Sequence, residues 1–301
     1  MPNNRVFYAS QGVSVGGTVV QGAQSVGVTT NFNLEQAFQL GQLALYDNIS
    51  LDPEVEITVS KVLDGEPLIY DLAVSSGTTI VANANDSADV VVGIGSDTGS
   101  SLTSTSAITC SGMFVSSVSY TFPVDGNMTE EVSFVGNAKA LTGSVSAPAT
   151  TENTVLRRQN LMSTSTLPAE VSGKNITSIS ISADLGRETM YKLGTLKPFH
   201  RFVNFPLEIT CEFEVSATDL DGVAVEIPDT ACSGLASTER DIVIKICGDD
   251  GTLKYQFDLG EKNKLTSVNY SGGDTGGGNA TISYSFSTYN ELDFTGGVFN
   301  T

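Results

Sequence analysis

The sequence predicts an all-β protein with minor α content, arranged as two tandem β-sandwich or barrel domains related by internal duplication. Three observations carry that expectation. Val, Ser, Thr and Gly dominate a composition that has no Trp. Apolar and polar residues alternate over short runs bounded by Gly, Pro, Asn and Asp, and long amphipathic patterns are scarce. Finally, matches between the two halves of the chain keep the same order. At 301 residues the chain has room for two domains of ordinary size.

Residues 1–24 mix short apolar pieces with Gly12, Gly16, Gly17 and Gly22 and have no later counterpart. They read as an N-terminal arm that pairs with a neighbouring sheet or a neighbouring subunit, since an extended segment adds easily to a strand edge. The first domain, 25–145, opens with "SVGVTTNFNL", "VEITVSKVL" and "PLIYDLAV", continues through "DVVVGI", and closes with a strand pair turning at "PVDGN". There Asp125-Gly126 supplies the positive φ of a tight hairpin. Residues 146–174 are rich in Ser, Thr and Ala and read as a linker or a functional loop. The second domain, 175–301, resumes with "ITSISISADL", "LEITCEFEVS", "VAVEI", "RDIVIKICG", "TLKYQFDLG", "KLTSVNYS" and "ATISYSFSTYNEL".

The duplication rests on an ordered echo. "QLGQLALYDNISLDPEVEIT" lies over "KLGTLKPFHRFVNFPLEIT". An offset of 153 pairs Leu40-Gly41 with Leu193-Gly194, Val26 with Ile179, Val28 with Ile181, Tyr46 with Phe199 and Pro53 with Pro206. An offset of 152 sets "EIT" 56–58 on "EIT" 208–210, and Phe134 on Phe286. Leu40, Gly41, Pro53, Leu193, Gly194 and Pro206 are therefore the candidate assembly contacts.

Several function classes lose support. The net charge of −19 comes from acids spread along the chain, which opposes gripping nucleic acid through phosphates. His200 is the only imidazole and sits between Phe199 and Arg201 in "KPFHRF", where a stacked or surface histidine is the simpler reading than a catalytic one. Glycosidase chemistry needs only two carboxylates, yet no Trp is present to form a sugar platform. Cys110, Cys211, Cys232 and Cys247 contain no C-x-x-C pair and read as reduced, mostly buried thiols. The G-x-G of "VGIGSDTGSS" lacks the third glycine and helix of a phosphate loop, and "DGNMTEE" and "DLDG" read as turns, lacking the acidic alternation of a calcium loop. No cofactor and no metal site is expected. The first residues lack the basic and apolar regions of a Sec signal, and no run reaches membrane-span length, so folding in a cytoplasm without membrane contact is expected.

With "LGQLALYDNI" leading into "PEVEITVSKVLDGEPLIYDL", and its double in "LGTLKPFHRFVNFPLEITCEFEV", the chain resembles the tail tube proteins of tailed bacteriophages. The resemblance implies two tube-type domains and a structural virion role, with no enzymatic activity. It further implies homotrimeric, pseudo-hexameric rings that stack into a tube around a lumen for genome passage. Partners would be the chain itself and other tail proteins (tape measure, terminator, baseplate or sheath), with DNA passing without specific binding. The particle would be assembled in the host cytoplasm. The rival expectations are another virion ring protein (tail terminator, baseplate or capsid decoration), or a carbohydrate-binding or adhesive β-sandwich module. On this reading the strands near 26–34, 55–63, 179–185 and 207–215 lie at or near the lumen, and 39–53 and 192–206 form loops or hairpins reaching toward a neighbour.

Overall fold

The structure, a computed structural model, describes residues 6, 8–74, 79–95, 104–148, 153–218, 238–273 and 279–296. The expected strand "VAVEI" and Cys232 lie outside them. The first half contains β1 (Gln11–Val15), β2 (Thr18–Val19), β3 (Ala23–Phe38), β4 (Leu45–Val62), helix α1 (Ile69–Ala73), β5 (Ala88–Gly95), β6 (Ser104–Pro123) and β7 (Thr129–Gly136). The second contains β8 (Ile176–Asp184), β9 (Arg187–Met190), β10 (His200–Val203), β11 (Glu208–Ser216), β12 (Val243–Cys247), β13 (Leu253–Asp258), β14 (Lys264–Ser271), β15 (Thr281–Tyr289) and β16 (Asp293–Gly296). The chain is thus nearly all β, as its alternation predicts.

The main sheet runs β3-β4-β7-β6-β8-β11-β15-β14, every neighbouring pair antiparallel. Its first four strands and its last four follow the same plan: an opening strand, its partner, then the closing hairpin in reversed order. The registers differ slightly, since Phe134 lies opposite Ile57 whereas Phe286 lies opposite Cys211, two residues beyond the Ile of the second "EIT". Because β6 pairs directly with β8 from Ser117↔Asp184 to Pro123↔Ser178, the two halves share one sheet. Their buried apolar residues accordingly form one cluster, where the sequence suggests a separate core for each half.

Strand β6 is long enough to serve two sheets. Its first half pairs with β5, and β5 pairs with β1, while its second half pairs with β7 and β8. Between them Gly112 adopts φ +63 and a register shift falls between Val115 and Ser117, so the strand bends onto a second layer. Residues 11–20, expected within an arm, are built into the chain's own sheet in this way, with Val13, Val15 and Val20 buried. A separate sheet, β12-β13-β16, covers the main sheet at its centre. There Phe257 lies 4.6 Å from Tyr120 and 5.4 Å from Phe122, ring centre to ring centre, and Phe294 lies 5.5 Å from Tyr70.

Over residues 153–174 the expected linker is a packed strap. Leu156 bonds the backbone of Leu63 and Met128, Met162 reaches Lys245, and Thr166 exchanges two hydrogen bonds with Val243. Leu156 and Val171 are buried, and Arg240 clasps Glu170 through both Nε and Nη2. Short polar side chains with occasional apolar anchors suit such a strap as well as they suit a mobile linker.

Candidate assembly surfaces

Alternation in the main sheet sends one set of side chains into the core and the other to a broad open face. Core-facing residues include Ile57, Val59, Val132, Phe134, Ile179, Ile181, Cys211, Phe213, Tyr284 and Phe286, all essentially inaccessible. The opposite parity reads Gly27 and Thr29 on β3, Glu56, Thr58 and Ser60 on β4, Glu131 and Ser133 on β7, and Ser117, Ser119 and Thr121 on β6. Across the midline it continues with Ser180 and Ser182 on β8, Thr210, Glu212 and Glu214 on β11, Ser283, Ser285 and Ser287 on β15, and Asn269 on β14. Small hydroxyls and carboxylates therefore tile the face of all eight strands, and Lys264 at the β14 margin carries its basic charge. Thr58 Oγ1 and Ser133 Oγ sit 3.3 Å apart across one strand pair. Such a face is wettable and mostly negative; its apolar exception is the cross-strand pair Phe114 and Val135, at the end where Arg187 and Arg201 approach Glu56.

Both margins of this sheet are open among the described residues: β3 pairs only with β4, and β14 only with β15. An even number of antiparallel strands leaves the two end strands running in opposite directions. The β14 edge of one copy thus presents its unpaired backbone groups in the sense needed to continue the ladder onto the β3 edge of another.

Two hairpins project with exposed apolar tips. In the longer, β3–β4, the turn at Leu40-Gly41 uses φ +84 at Gly41, and Leu40 is 102 % exposed. Phe38, Leu43, Tyr46 and Ile49 are exposed beside it. In the shorter, β9–β10, the turn at Leu193-Gly194 uses φ +87 at Gly194, and Leu193 is 104 % exposed, with Tyr191, Leu196 and Phe199 nearby. The four turn residues of the candidate set therefore occupy like positions on two fingers. Pro53 lies lower, opposite Phe32 in the β3–β4 ladder, and Pro206 lies just before β11. The stretches 39–53 and 192–206 differ from simple loops in that 45–53 and 200–203 are ladder strands.

A polar brace, not singled out from the sequence, joins the two fingers at their bases. Arg201, 4 % exposed, donates to Glu54 at 2.8 Å and to the Asn137 side-chain Oδ1 at 3.1 Å. Asn137 in turn donates to Asp52 and to the Pro53 carbonyl, and the Tyr191 hydroxyl donates to Asp52 at 3.0 Å. Within "KPFHRF", Arg201 and not its neighbour His200 is the buried charge. His200 itself packs between Phe202, tilted at 4.3 Å, and Phe114, edge-on at 5.0 Å.

Other chemistry is sparse. Among the described residues no group of three or more His, Cys, Asp or Glu is placed to hold a metal ion, and no helix is long and apolar enough to cross a membrane. Cys110, Cys211 and Cys247 are free thiols, and burial pushes the first two above the usual thiol range. Cys110 and Cys211 are accordingly expected to resist a thiol reagent until the protein unfolds, checked by mass spectrometry of labelled peptides with and without denaturant. No family model matches the chain, and no curated protein matches its sequence.

Proposed function

We propose that the chain is a structural ring subunit, the major tail tube protein of a tailed bacteriophage, and that its two halves are copies of one tube domain. The single observation that carries the reading is the eight-strand antiparallel sheet with two open, oppositely directed edges and one face dominated by small hydroxyls and carboxylates. Edge-to-edge pairing of β14 with β3 of the next copy would continue one ladder around a ring. Three copies would bring about 24 strands, and a strand spacing of about 4.8 Å gives a backbone circumference of at least roughly 115 Å. Barrels of about 16–18 strands already leave an aqueous channel, so this one would hold a wider lumen.

The chemistry of the face supports passage of a polyanion rather than its capture. Glu56, Glu131, Glu212 and Glu214 repel phosphates, and the serines and threonines between them offer hydrogen bonds without charge. The two apolar fingers would supply contacts for stacking one ring on the next. The identical pairing order of the two half-sheets supports duplication, which lets three chains occupy six similar positions.

Negative-stain electron microscopy of the purified protein tests this directly. Tubes of constant width are expected, monomers at high concentration refute the reading, and isolated single rings transfer it to a terminator-like role. A second test reverses the lumen charge. Glu131→Lys, Glu212→Lys and Glu214→Lys together are expected to make assembled particles retain DNA at low salt and release it as salt rises. Retention equal to that of the unaltered protein would remove the polar face from the lumen.

A further inference from the structure

Beneath α1 lies a group of buried charges that neither the edges nor the fingers use. Lys61 on β4 and Glu130 on β7 are direct cross-strand partners, share the core-facing parity of Ile57 and Phe134, and are both fully buried. Lys61 Nζ donates to the Pro67 carbonyl at 2.9 Å and sits 3.5 Å from Asp64. Glu130 accepts from the backbone N–H groups of Ile69 at 2.7 Å and Tyr70 at 3.2 Å, and from the Tyr120 hydroxyl at 3.3 Å. Asp71, on the helix itself, has a buried Oδ1 with no hydrogen-bond partner. In the second half the equivalent cross-strand pair is Val215 opposite Ile282, so the fold does not require charge at this position.

Three carboxyls thus surround one ammonium, Glu130 fully buried and Asp64 and Asp71 partly so. Asp71 feels Glu130 from β7 and Lys61 from β4, while Asp64 from the turn after β4, Tyr70 from α1, Tyr120 from β6 and Tyr255 from β13 complete the titratable surroundings. A single cation cannot neutralise three anions, and a carboxylate with a buried, unpaired oxygen is costly enough that the group takes up a proton instead.

We propose that the Lys61–Asp71–Glu130 cluster is a proton-dependent latch that fastens α1 to the main sheet when Asp71 is protonated and loosens it when that proton is lost. The helix is coupled outward. The Tyr70 hydroxyl donates to the Ile80 carbonyl at 2.7 Å, Ile80 donates to Leu292, and Thr79 bridges to Asp293 at the start of β16. Loosening α1 therefore reaches the covering sheet β12-β13-β16.

The sign follows from linkage. Burial, then the neighbouring Glu130, push the Asp71 carboxyl from 3.8 up to about 7. Between those values the latched state holds a proton that the opened state has released, so opening becomes more favourable as pH rises and levels off above about 7. Hydrogen exchange of the full-length protein, corrected for the intrinsic pH dependence of exchange, reads this directly. Opening of 69–74 and 293–296 is expected to rise about tenfold per pH unit between about pH 5 and about pH 7, then plateau. Asp71→Asn, which mimics the protonated acid, is expected to flatten that response, and Lys61→Met to move its midpoint to higher pH. Exchange in 69–74 that is independent of pH in the unaltered protein overturns the proposal without any variant. So does an Asp71→Asn protein that keeps the full pH response.

Discussion

Replacing Leu40 and Leu193 together with Asp is expected to leave a folded chain that does not assemble into the proposed tubes. Both residues stand at the tips of fingers whose distal parts make no core, so their removal costs the monomer nothing measurable. In an assembly each would bury a leucine side chain, worth about 1.5–3 kcal/mol, so losing both removes roughly 3–6 kcal/mol per contact pair. That is between two and four orders of magnitude in the association constant before the cost of burying a carboxylate is counted. Sedimentation of the purified double variant, with far-ultraviolet circular dichroism to confirm its strands, is the measurement. Tubes of normal length would detach the fingers from assembly.

The largest effect on folding is expected from Phe257→Ala. This ring is fully buried and lies 4.6 Å from Tyr120, 5.4 Å from Phe122 and 6.0 Å from Phe294, tying the covering sheet to β6 at the midline of the main sheet. Truncation of a buried Phe costs about 3–5 kcal/mol, a large fraction of the roughly 5–15 kcal/mol that holds a typical domain together. Because the cavity opens beside the β6–β8 junction, one unfolding transition shared by both halves is expected to move to lower denaturant. A loss under about 1 kcal/mol in urea titration, or a transition that splits in two, would contradict this account of the core.

Strict alternation made much of the main sheet legible. "ITSISISAD", "EITCEFEVS" and "TISYSFSTY" each become a ladder strand with one buried parity, and Asp125-Gly126 turns β6 into β7 with φ +126 at Gly126. The paired Leu-Gly steps became paired finger tips. What escaped was tertiary. Gly12, Gly16 and Gly17 disguise a strand whose valines are buried, because a short apolar run reads the same in a tail and in a sheet edge. Leu156 and Val171 are too isolated among Ser and Thr to announce a strap. Lys61 and Glu130 look like solvent residues by type, yet counting by twos from Ile57 and Phe134 puts both in the core, and that parity was the available signal. Arg201 offered no comparable cue, since its partners Glu54 and Asn137 are distant in sequence.

The direct pairing of β6 with β8 removes any swivel between the halves. In a ring of six separate bodies every neighbour must be captured from solution, each at a cost of order 4–15 kcal/mol in lost translation and rotation. Three chains with the halves already fused in one sheet need only two such captures after the first. The ladder of seven hydrogen-bonded residue pairs from Ser117 to Pro123 would thus act as a preassembled seam, making ring closure less dependent on protein concentration than six free domains would allow.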